Sequence, residues 1–198
     1  MSRYLVCMTG ASGALYGLRL LGALASSEGP CPDAELHFVA SDWARRVVLQ
    51  ETGRGLDDLV VELGTTRLVA HEPGDLAAAV SSGSFRLDGT VIAPCSMGTI
   101  GALAAGLSNN LIHRAGSVAL KEGWPLVLVP RESPLSLIHL RNLVALKEAG
   151  AIILPASPGF YSRPRSVDEL VDELVARILD SLGLEMPNAK RWKEGGEE

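Results

Sequence analysis

The sequence predicts an α/β protein built on a three-layer, doubly wound parallel sheet. Five short, nearly continuous apolar runs occur along the chain, and segments with helical periodicity separate them. Strands that are apolar on both sides are typical of a parallel sheet covered by helices on both faces, because each such strand is buried twice. For a chain of 198 residues we expect one domain over residues 1–184, followed by a tail over residues 185–198.

The elements follow one another in the order strand, loop, helix. The first apolar run covers residues 3–8 and ends at a Gly-rich loop, and residues 12–25 then carry Leu at helical spacing. The remaining strands are predicted at residues 35–40, 90–94, 125–130 and 151–155. Helices are predicted from about Asp42 to Glu51, from Ser96 onward and from Leu135 to Ala149. The last helix opens with Ser166 and Glu169 at capping-box spacing and is expected to end at Gly183.

The composition excludes some classes of function. The chain has 18 Lys and Arg against 23 Asp and Glu, a formal net charge of -5, and only 5% aromatic residues. A protein with this charge has no overall attraction for phosphate backbones or anionic membranes, and it lacks the aromatic side chains of a base-stacking platform. We therefore expect neither nucleic acid nor a membrane as a partner.

Cysteine and histidine spacing favours a reducing compartment and no metal. Cys7, Cys31 and Cys95 are far apart and form no CxxC pair, which indicates a cytoplasmic protein. Cys95 follows a predicted strand without an adjacent base, so we interpret it as a buried thiol rather than a nucleophile. No apolar run approaches the roughly 20 residues of a membrane-spanning helix. The four histidines lie 26 or more positions apart, without the close spacing of metal ligands.

Ligands of an open parallel sheet bind beyond the carboxyl ends of the strands, and the loops there carry polar residues. Gly10-Ala11-Ser12-Gly13 offers backbone N–H groups and a helix start to a phosphate, but its GxxG spacing also suits a tight turn, and both interpretations stay open. Ser41 suits a helix cap or a contact to a ligand hydroxyl, of which the cap is the simpler. Ser96-Met97-Gly98-Thr99 provides hydroxyl and N–H groups at another helix start.

Cationic side chains form a second candidate site. Arg114 and Lys121 lie among apolar residues, Arg131 follows a predicted strand, and Arg177 lies at the edge of an apolar helix stripe. A solvated or snorkelling side chain explains most such residues, whereas several of them together can bind an anion. The N–H-rich loops and these cations therefore predict two phosphate sites, one for a mononucleotide and one for a second phosphorylated ligand.

Five motifs in fixed order resemble the UbiX flavin prenyltransferases, which are relatives of the flavin-dependent cysteine decarboxylases. The motifs are TGASGALYG, APCSMGT, NNLIHRAGSVALKE, PLVLVPRESPLSLIHL and PASPGFYSRP, and the match covers residues 3–182. The resemblance implies a flavodoxin-like, or Rossmann-like, fold and bound FMN. It also implies metal-independent transfer of a dimethylallyl group from dimethylallyl monophosphate to N5 and C6 of the reduced flavin. The prenylated FMN would serve a UbiD-type decarboxylase in ubiquinone biosynthesis.

The resemblance also implies roles for individual residues. The flavin would be held by Gly10, Ala11, Ser12, Ser41, Ser96, Met97, Gly98, Thr99 and Arg131. The prenyl phosphate would be met by Arg114, Lys121, Glu132, Tyr161 and Arg177. Catalytic roles would fall to Ser12 and Glu51, which resemble the family's proton-handling pair near flavin N5, and to Lys121, Glu132 and Trp192. Trp192 would be the tail indole that closes over the prenyl chain in the active site.

The family pattern further implies a homo-oligomer, as large as a dodecamer, with active sites between subunits. Asn109 and Ser117 depart from the pattern, because the family usually has an acid at each position. Two other functions stay open. One is oxidative decarboxylation of a cysteinyl substrate, which would require a histidine near the flavin and which the set of Arg131, Glu132, Tyr161 and Arg177 disfavours. The other is flavin binding and delivery without turnover.

Overall fold

The computed structural model describes residues 1–187, and these residues form one six-stranded parallel sheet with helices on both faces. The strands are β1 (Arg3–Met8), β2 (Glu35–Ala40), β3 (Leu68–His71), β4 (Gly89–Cys95), β5 (Leu126–Pro130) and β6 (Ile152–Ile153). The helices are α1 (Ala14–Ala25), α2 (Asp42–Thr52), α3 (Leu56–Val61), α4 (Met97–Ala104), α5 (Leu111–Glu122), α6 (Leu137–Glu148) and α7 (Val167–Asp180), with a 3₁₀ helix at Ala79–Ser81.

The strand order β3-β2-β1-β4-β5-β6 confirms the predicted doubly wound sheet. Without β3 the order is that of flavodoxin, and with β3 it is the six-strand order of the dinucleotide-binding folds. The expectation of five strands was wrong, because β3 lies at the edge of the sheet. It has only four residues, and its three apolar residues, Leu68, Val69 and Ala70, form a shorter run than those that mark the inner strands.

The two faces of the sheet belong to two separate cores. Val6 and Met8 of β1 pack with α1, α2 and α7, whereas Leu5 and Cys7 pack with α4 and α5. This alternation accounts for the apolar runs of the sequence, since both faces of each inner strand are covered. Cys95 is fully buried and burial raises the pKa of its thiol, so it is not a nucleophile at neutral pH.

Helix ends lie close to their predicted positions. Ser166 caps α7, because its Oγ accepts a hydrogen bond from Glu169 N at 3.2 Å. The Glu169 carboxylate accepts from Arg165 N at 3.0 Å instead of from the cap residue itself, so the predicted capping box is only half formed. The helix ends at Asp180, three residues before Gly183, which has a positive φ of 70°.

Parallel pairing of β2 and β3 brings two histidines together that lie 34 positions apart in sequence. His37 Nδ1 lies 3.0 Å from His71 Nε2, and burial lowers the pKa of both rings. The two neutral rings can therefore share one hydrogen bond. Within residues 1–187 no group of three or more His, Cys, Asp or Glu side chains is placed to hold a metal ion. Nor do these residues contain a helix with the length and hydrophobicity to cross a bilayer.

Arg67 connects β3 to the carboxyl end of α1. Its guanidinium donates hydrogen bonds to Leu24 O and Ala25 O at 3.2 and 2.8 Å, and to Cys31 O and Ala34 O at 3.2 and 2.8 Å. The carbonyl groups of the last helical turn have no partner within a helix, so this side chain satisfies groups that would otherwise be unpaired.

We expect Arg67→Ala to lower the free energy of unfolding by about 2–4 kcal/mol, because it leaves several half-buried carbonyl groups unpaired. Arg86→Ala serves as the matched control. Its ion pair with Asp88 spans 3.6 Å and its side chain is 76% exposed, so we expect a change below about 1 kcal/mol. Urea unfolding followed by circular dichroism measures both. Equal losses in the two variants would contradict the capping role of Arg67.

Candidate active site

A cleft of about 230 Å³ lies at the carboxyl ends of β1, β2 and β4, where the strand order reverses. It lies between the loops after these strands and the start of α5. The lining residues are Thr9, Gly10, Ser41, Trp43, Ser96, Gly98, Thr99, Asn110, Ile112 and His113. The reversal point of an open parallel sheet is the usual ligand site of such folds, and five of the predicted flavin-binding residues meet here.

Thr9 connects the loops on either side of the cleft. Its backbone N–H and its Oγ1 donate to Pro94 O at 3.1 and 3.0 Å, and its Oγ1 accepts from Ser96 N at 2.7 Å. Ser41 N donates to Met8 O at 3.0 Å, which attaches the third loop to β1. The three loops are therefore held at fixed spacing. Thr9 was not among the predicted site residues, although it opens the TGASG motif directly after the first strand.

Three helices begin at the cleft, and each has a polar cap. Ser41 Oγ accepts from Ala44 N at 3.1 Å, Ser96 Oγ from Thr99 N at 3.3 Å, and Asn110 Oδ1 from His113 N at 2.9 Å. The preferred interpretation of Ser41 as a cap is therefore correct. Ser41 still has its hydroxyl proton to donate, and so does one member of the Ser96 and Thr99 pair, whose oxygens are 3.1 Å apart.

The cleft suits an anion although no charged side chain of residues 1–187 lines it. The N-termini of α2, α4 and α5 each carry a partial positive charge and unpaired backbone N–H groups, and the serine and threonine hydroxyls add donors. Phosphate groups bind at helix N-termini for these reasons. This donor set fits the phosphate of a mononucleotide.

Trp43 forms one wall of the cleft and was not predicted. Its indole is 66% exposed, and the Arg46 guanidinium lies 4.9 Å from the ring centroid. A Cβ added at Gly10 would lie 2.5 Å from Trp43 Cβ, so only glycine allows the first loop to approach α2 this closely. The sequence feature that could have predicted this wall is an aromatic residue two positions after Ser41, in the segment that follows a predicted strand.

Glu51 lies beside the first loop, next to the two residues that follow Ser12. Its carboxylate accepts from Gly13 N at 3.0 and 3.2 Å and from Ala14 N at 2.8 Å. These N–H groups of α1 are therefore occupied by a carboxylate, and Gly13 makes the tight turn with a φ of 100°. On the other side of the loop, Arg131 Nε donates to Ser12 O at 3.2 Å. Ala11, Ser12, Glu51 and Arg131 thus form a second group next to the cleft.

The predicted prenyl-phosphate residues lie on different elements of the chain. Arg114 and Lys121 lie on α5, and Arg177 lies on α7, which packs on the opposite face of the sheet. Because α5 begins at the cleft and rises about 1.5 Å per residue, Lys121 lies about 15 Å along it from the first helical residue. Arg114 Nε donates to Ser81 O at 3.0 Å, Lys121 is paired with Glu122, and Arg177 with Asp180 at 3.3 Å.

The other predicted residues lie on the surface or outside the described region. Glu132 is exposed, and its Oε1 accepts from Ser133 N at 3.0 Å. Tyr161 is 80% exposed in the loop after β6. Trp192 lies outside residues 1–187, so the predicted contact of its indole stays a prediction. Of the two departures, Asn109 is exposed just before the cap of α5 and Ser117 is half-buried within that helix.

Sequence and structure comparisons give the family. A family model described as Flavoprotein matches residues 1–179. The flavin prenyltransferase UbiX of Pseudomonas aeruginosa is 46% identical over 204 residues, which cover 97% of this chain and 94% of that protein. This chain belongs to the UbiX flavin prenyltransferase family. The predicted family, its flavin cofactor and its enzyme class are confirmed.

Two solved structures of UbiX-type proteins share the fold over nearly the whole chain. The crystal structure of AnUbiX (PadA1) in complex with FMN and dimethylallyl pyrophosphate has a TM-score of 0.89 and 42% identity, and the match covers 100% of this chain and 99% of that one. A dodecameric FMN-dependent UbiX-like decarboxylase from Escherichia coli O157:H7 has a TM-score of 0.89 and 46% identity, with coverage of 96% and 99%. The fold predicted from the family resemblance is thereby confirmed.

We expect Thr9→Val to lower the free energy of unfolding by about 1–3 kcal/mol, because Ser96 N then loses its acceptor in a half-buried position. Thr90→Val is the matched control, since Thr90 Oγ1 is fully buried in β4 and finds no hydrogen-bond partner among residues 1–187. That substitution should be neutral or stabilising. Urea unfolding of both variants tests the difference, and an equal loss in both would show that the Thr9 hydroxyl does not hold the loops.

Proposed function

We propose that this protein transfers a dimethylallyl group from dimethylallyl monophosphate to N5 and C6 of reduced FMN. The observation that carries this proposal is the uncharged cleft where three helix N-termini meet, with cationic residues placed elsewhere. Two anionic ligands need two separate sites, and the chain provides two different kinds of phosphate-binding chemistry.

The cleft would hold the phosphate of FMN through Ser41, Ser96 and Thr99, together with the N–H groups of α2, α4 and α5. The remainder of the flavin would lie against Gly10, Ala11, Ser12 and Arg131, with Met97 and Gly98 beneath it. At about 230 Å³ the cleft is smaller than the 300 Å³ or so of a typical ligand pocket, which supports a site completed by a neighbouring subunit.

When bound, reduced FMN supplies the nucleophilic ring atoms. The cations of this chain act on the leaving group. Departure of phosphate from the allylic carbon concentrates negative charge on the leaving oxygen, which Arg114, Lys121 and Arg177 would stabilise without a metal. Glu132 and Tyr161 would position the same phosphate. Fixing the two reactants at attack distance supplies a further part of the acceleration.

Glu51 and Ser12 would handle the proton that the second bond displaces. The bond to C6 replaces a ring hydrogen, so a base must accept a proton. The Glu51 carboxylate is held beside Ser12 by Gly13 N and Ala14 N, and the N-terminus of α1 favours its negative charge. The fixed carboxylate would accept this proton, and the Ser12 hydroxyl would pass it on.

A second copy of this chain is the partner that completes the site. On α6, Leu137, Ile138, Leu140 and Val144 are 46–68% exposed, and in the loop before α7 Phe160 is 70% exposed. Such an apolar surface marks an interface, and the neighbour structure from E. coli O157:H7 is dodecameric. We infer that this chain forms a homo-oligomer of the same kind, in which Lys121 and Arg177 meet across subunits.

The product would pass to a UbiD-type decarboxylase, as in ubiquinone biosynthesis, and the reaction would take place in the cytoplasm. The three free cysteines, all buried, support a reducing compartment. We further infer that residues 1–184 fold as one domain. The expectation that the tail, residues 185–198, closes over the active site falls mainly on residues outside 1–187 and stays a prediction.

Anaerobic incubation with reduced FMN and dimethylallyl monophosphate should yield a cofactor heavier by one dimethylallyl group. Mass spectrometry of the released cofactor measures it, with dimethylallyl pyrophosphate in a parallel sample. Lys121→Ala and Arg177→Ala should each slow transfer at least about 100-fold. Arg54→Ala is the control, because Arg54 forms a surface ion pair with Glu62, and it should leave the rate of transfer unchanged. Unmodified FMN would contradict the proposal, and carbon dioxide released from a cysteinyl peptide would support decarboxylation instead.

Mixing two inactive variants tests the shared site. Lys121→Ala and Arg177→Ala subunits, dissociated and reassembled together, should regain transfer activity, because some sites then combine an intact Lys121 with an intact Arg177. Each variant reassembled alone is the control. Absence of recovery in oligomers shown by native mass spectrometry to be mixed would place both residues in the site of a single chain.

A further inference from the structure

His113 lines the proposed phosphate cleft at the start of α5. It is the third residue of α5, and its backbone N–H is satisfied by Asn110 Oδ1 at 2.9 Å. Its ring Nδ1 is buried without a hydrogen-bond partner in the described part of the chain. Nδ1 is enclosed by the protein, so Nε2 is the ring nitrogen that can meet a bound ligand.

The protonation state of His113 follows from its surroundings. Burial lowers the pKa of the ring, and the positive end of α5 also acts against a cation, so the imidazole is neutral at pH 7. A neutral imidazole has one N–H donor and one lone pair. An unpaired N–H is less tolerated in a protein interior than an unpaired acceptor, which assigns the lone pair to Nδ1 and the proton to Nε2.

The residues around His113 determine which part of a ligand it can meet. The other donors of the cleft are the hydroxyls of Ser41, Ser96 and Thr99 and the helix ends, and its lining residues include no side-chain carboxylate. An N–H donor added to this set has a phosphate oxygen as its best acceptor. Ile112, the residue before His113, also lines the cleft but can donate no side-chain hydrogen bond.

We propose that His113 donates a hydrogen bond from Nε2 to the FMN phosphate and so makes the site selective for the phosphorylated flavin over riboflavin. The inference rests on the proposed function only in that FMN occupies the cleft. His113 is here a specificity-determining residue of the cofactor site and takes no part in prenyl transfer.

The test compares the affinities of two flavins for the full-length protein. Quenching of flavin fluorescence gives Kd for FMN and for riboflavin with wild type, His113→Ala, His113→Gln and Ile112→Val. We expect His113→Ala to weaken FMN about 10-fold or more while riboflavin affinity is unchanged, since one hydrogen bond to a charged group is lost. His113→Gln, which retains an N–H donor, should recover part of the FMN affinity. Ile112→Val should leave the ratio of the two affinities unchanged.

Each outcome separates this inference from the proposed function. Equal weakening of both flavins by His113→Ala would assign the ring to a part that they share and would overturn the inference, as would an unchanged FMN affinity. Prenyl transfer by wild type together with either result would leave the proposed function intact. If His113→Ala does not fold, His113→Gln and the phosphorus NMR shift of its bound FMN, compared with wild type, decide the same point.

Discussion

A cleft between two loops of a parallel sheet can hold one ligand only if the loops stay at one separation, and Thr9 sets that separation here. Its three hydrogen bonds to Pro94 and Ser96 join the ends of β1 and β4. Ser96, the cap of α4, directly follows β4. Ser41, the cap of α2, directly follows β2, and its N–H donates to the end of β1. The two polar contacts of the Thr9 side chain therefore fix the loops after β1 and β4 relative to each other, while the hydrogen bond from Ser41 N to Met8 O places the loop after β2.

Much of the fold could be predicted from the sequence, because inner strands and helix caps leave local signals. Ser41 and Ser96 each stand one residue before a helix and cap it as their position predicts. β3 was not predicted, since its apolar run of Leu68, Val69 and Ala70 is shorter than those of the inner strands. His113 and Trp43 were missed for another reason. Both residues line the cleft because α2, α4 and α5 all begin there. Residue spacing in the sequence does not predict that these three helix starts lie together.

The two proposed phosphate sites differ in the source of their positive charge. The cleft relies on helix ends and hydroxyls, whereas Lys121 and Arg177 carry full charges and lie on opposite faces of the sheet. Keeping full charges away from the cleft helps to direct each anion to its own site, because a prenyl phosphate gains more from guanidinium and ammonium groups. The net charge of -5 gave no sign of this division, because an average over the chain cannot show where charges cluster.

The small size of the cleft has a thermodynamic consequence. One chain supplies the donors for the phosphate, while in the proposed assembly a neighbour covers the flavin ring. Cofactor affinity and subunit affinity are then linked, and by reciprocity the free energy that the neighbour adds to flavin binding equals the free energy that flavin adds to association. Bound flavin would therefore stabilise the association of protomers as well as react. The flavin-free protein would have a higher dissociation constant for its subunits than the flavin-bound protein.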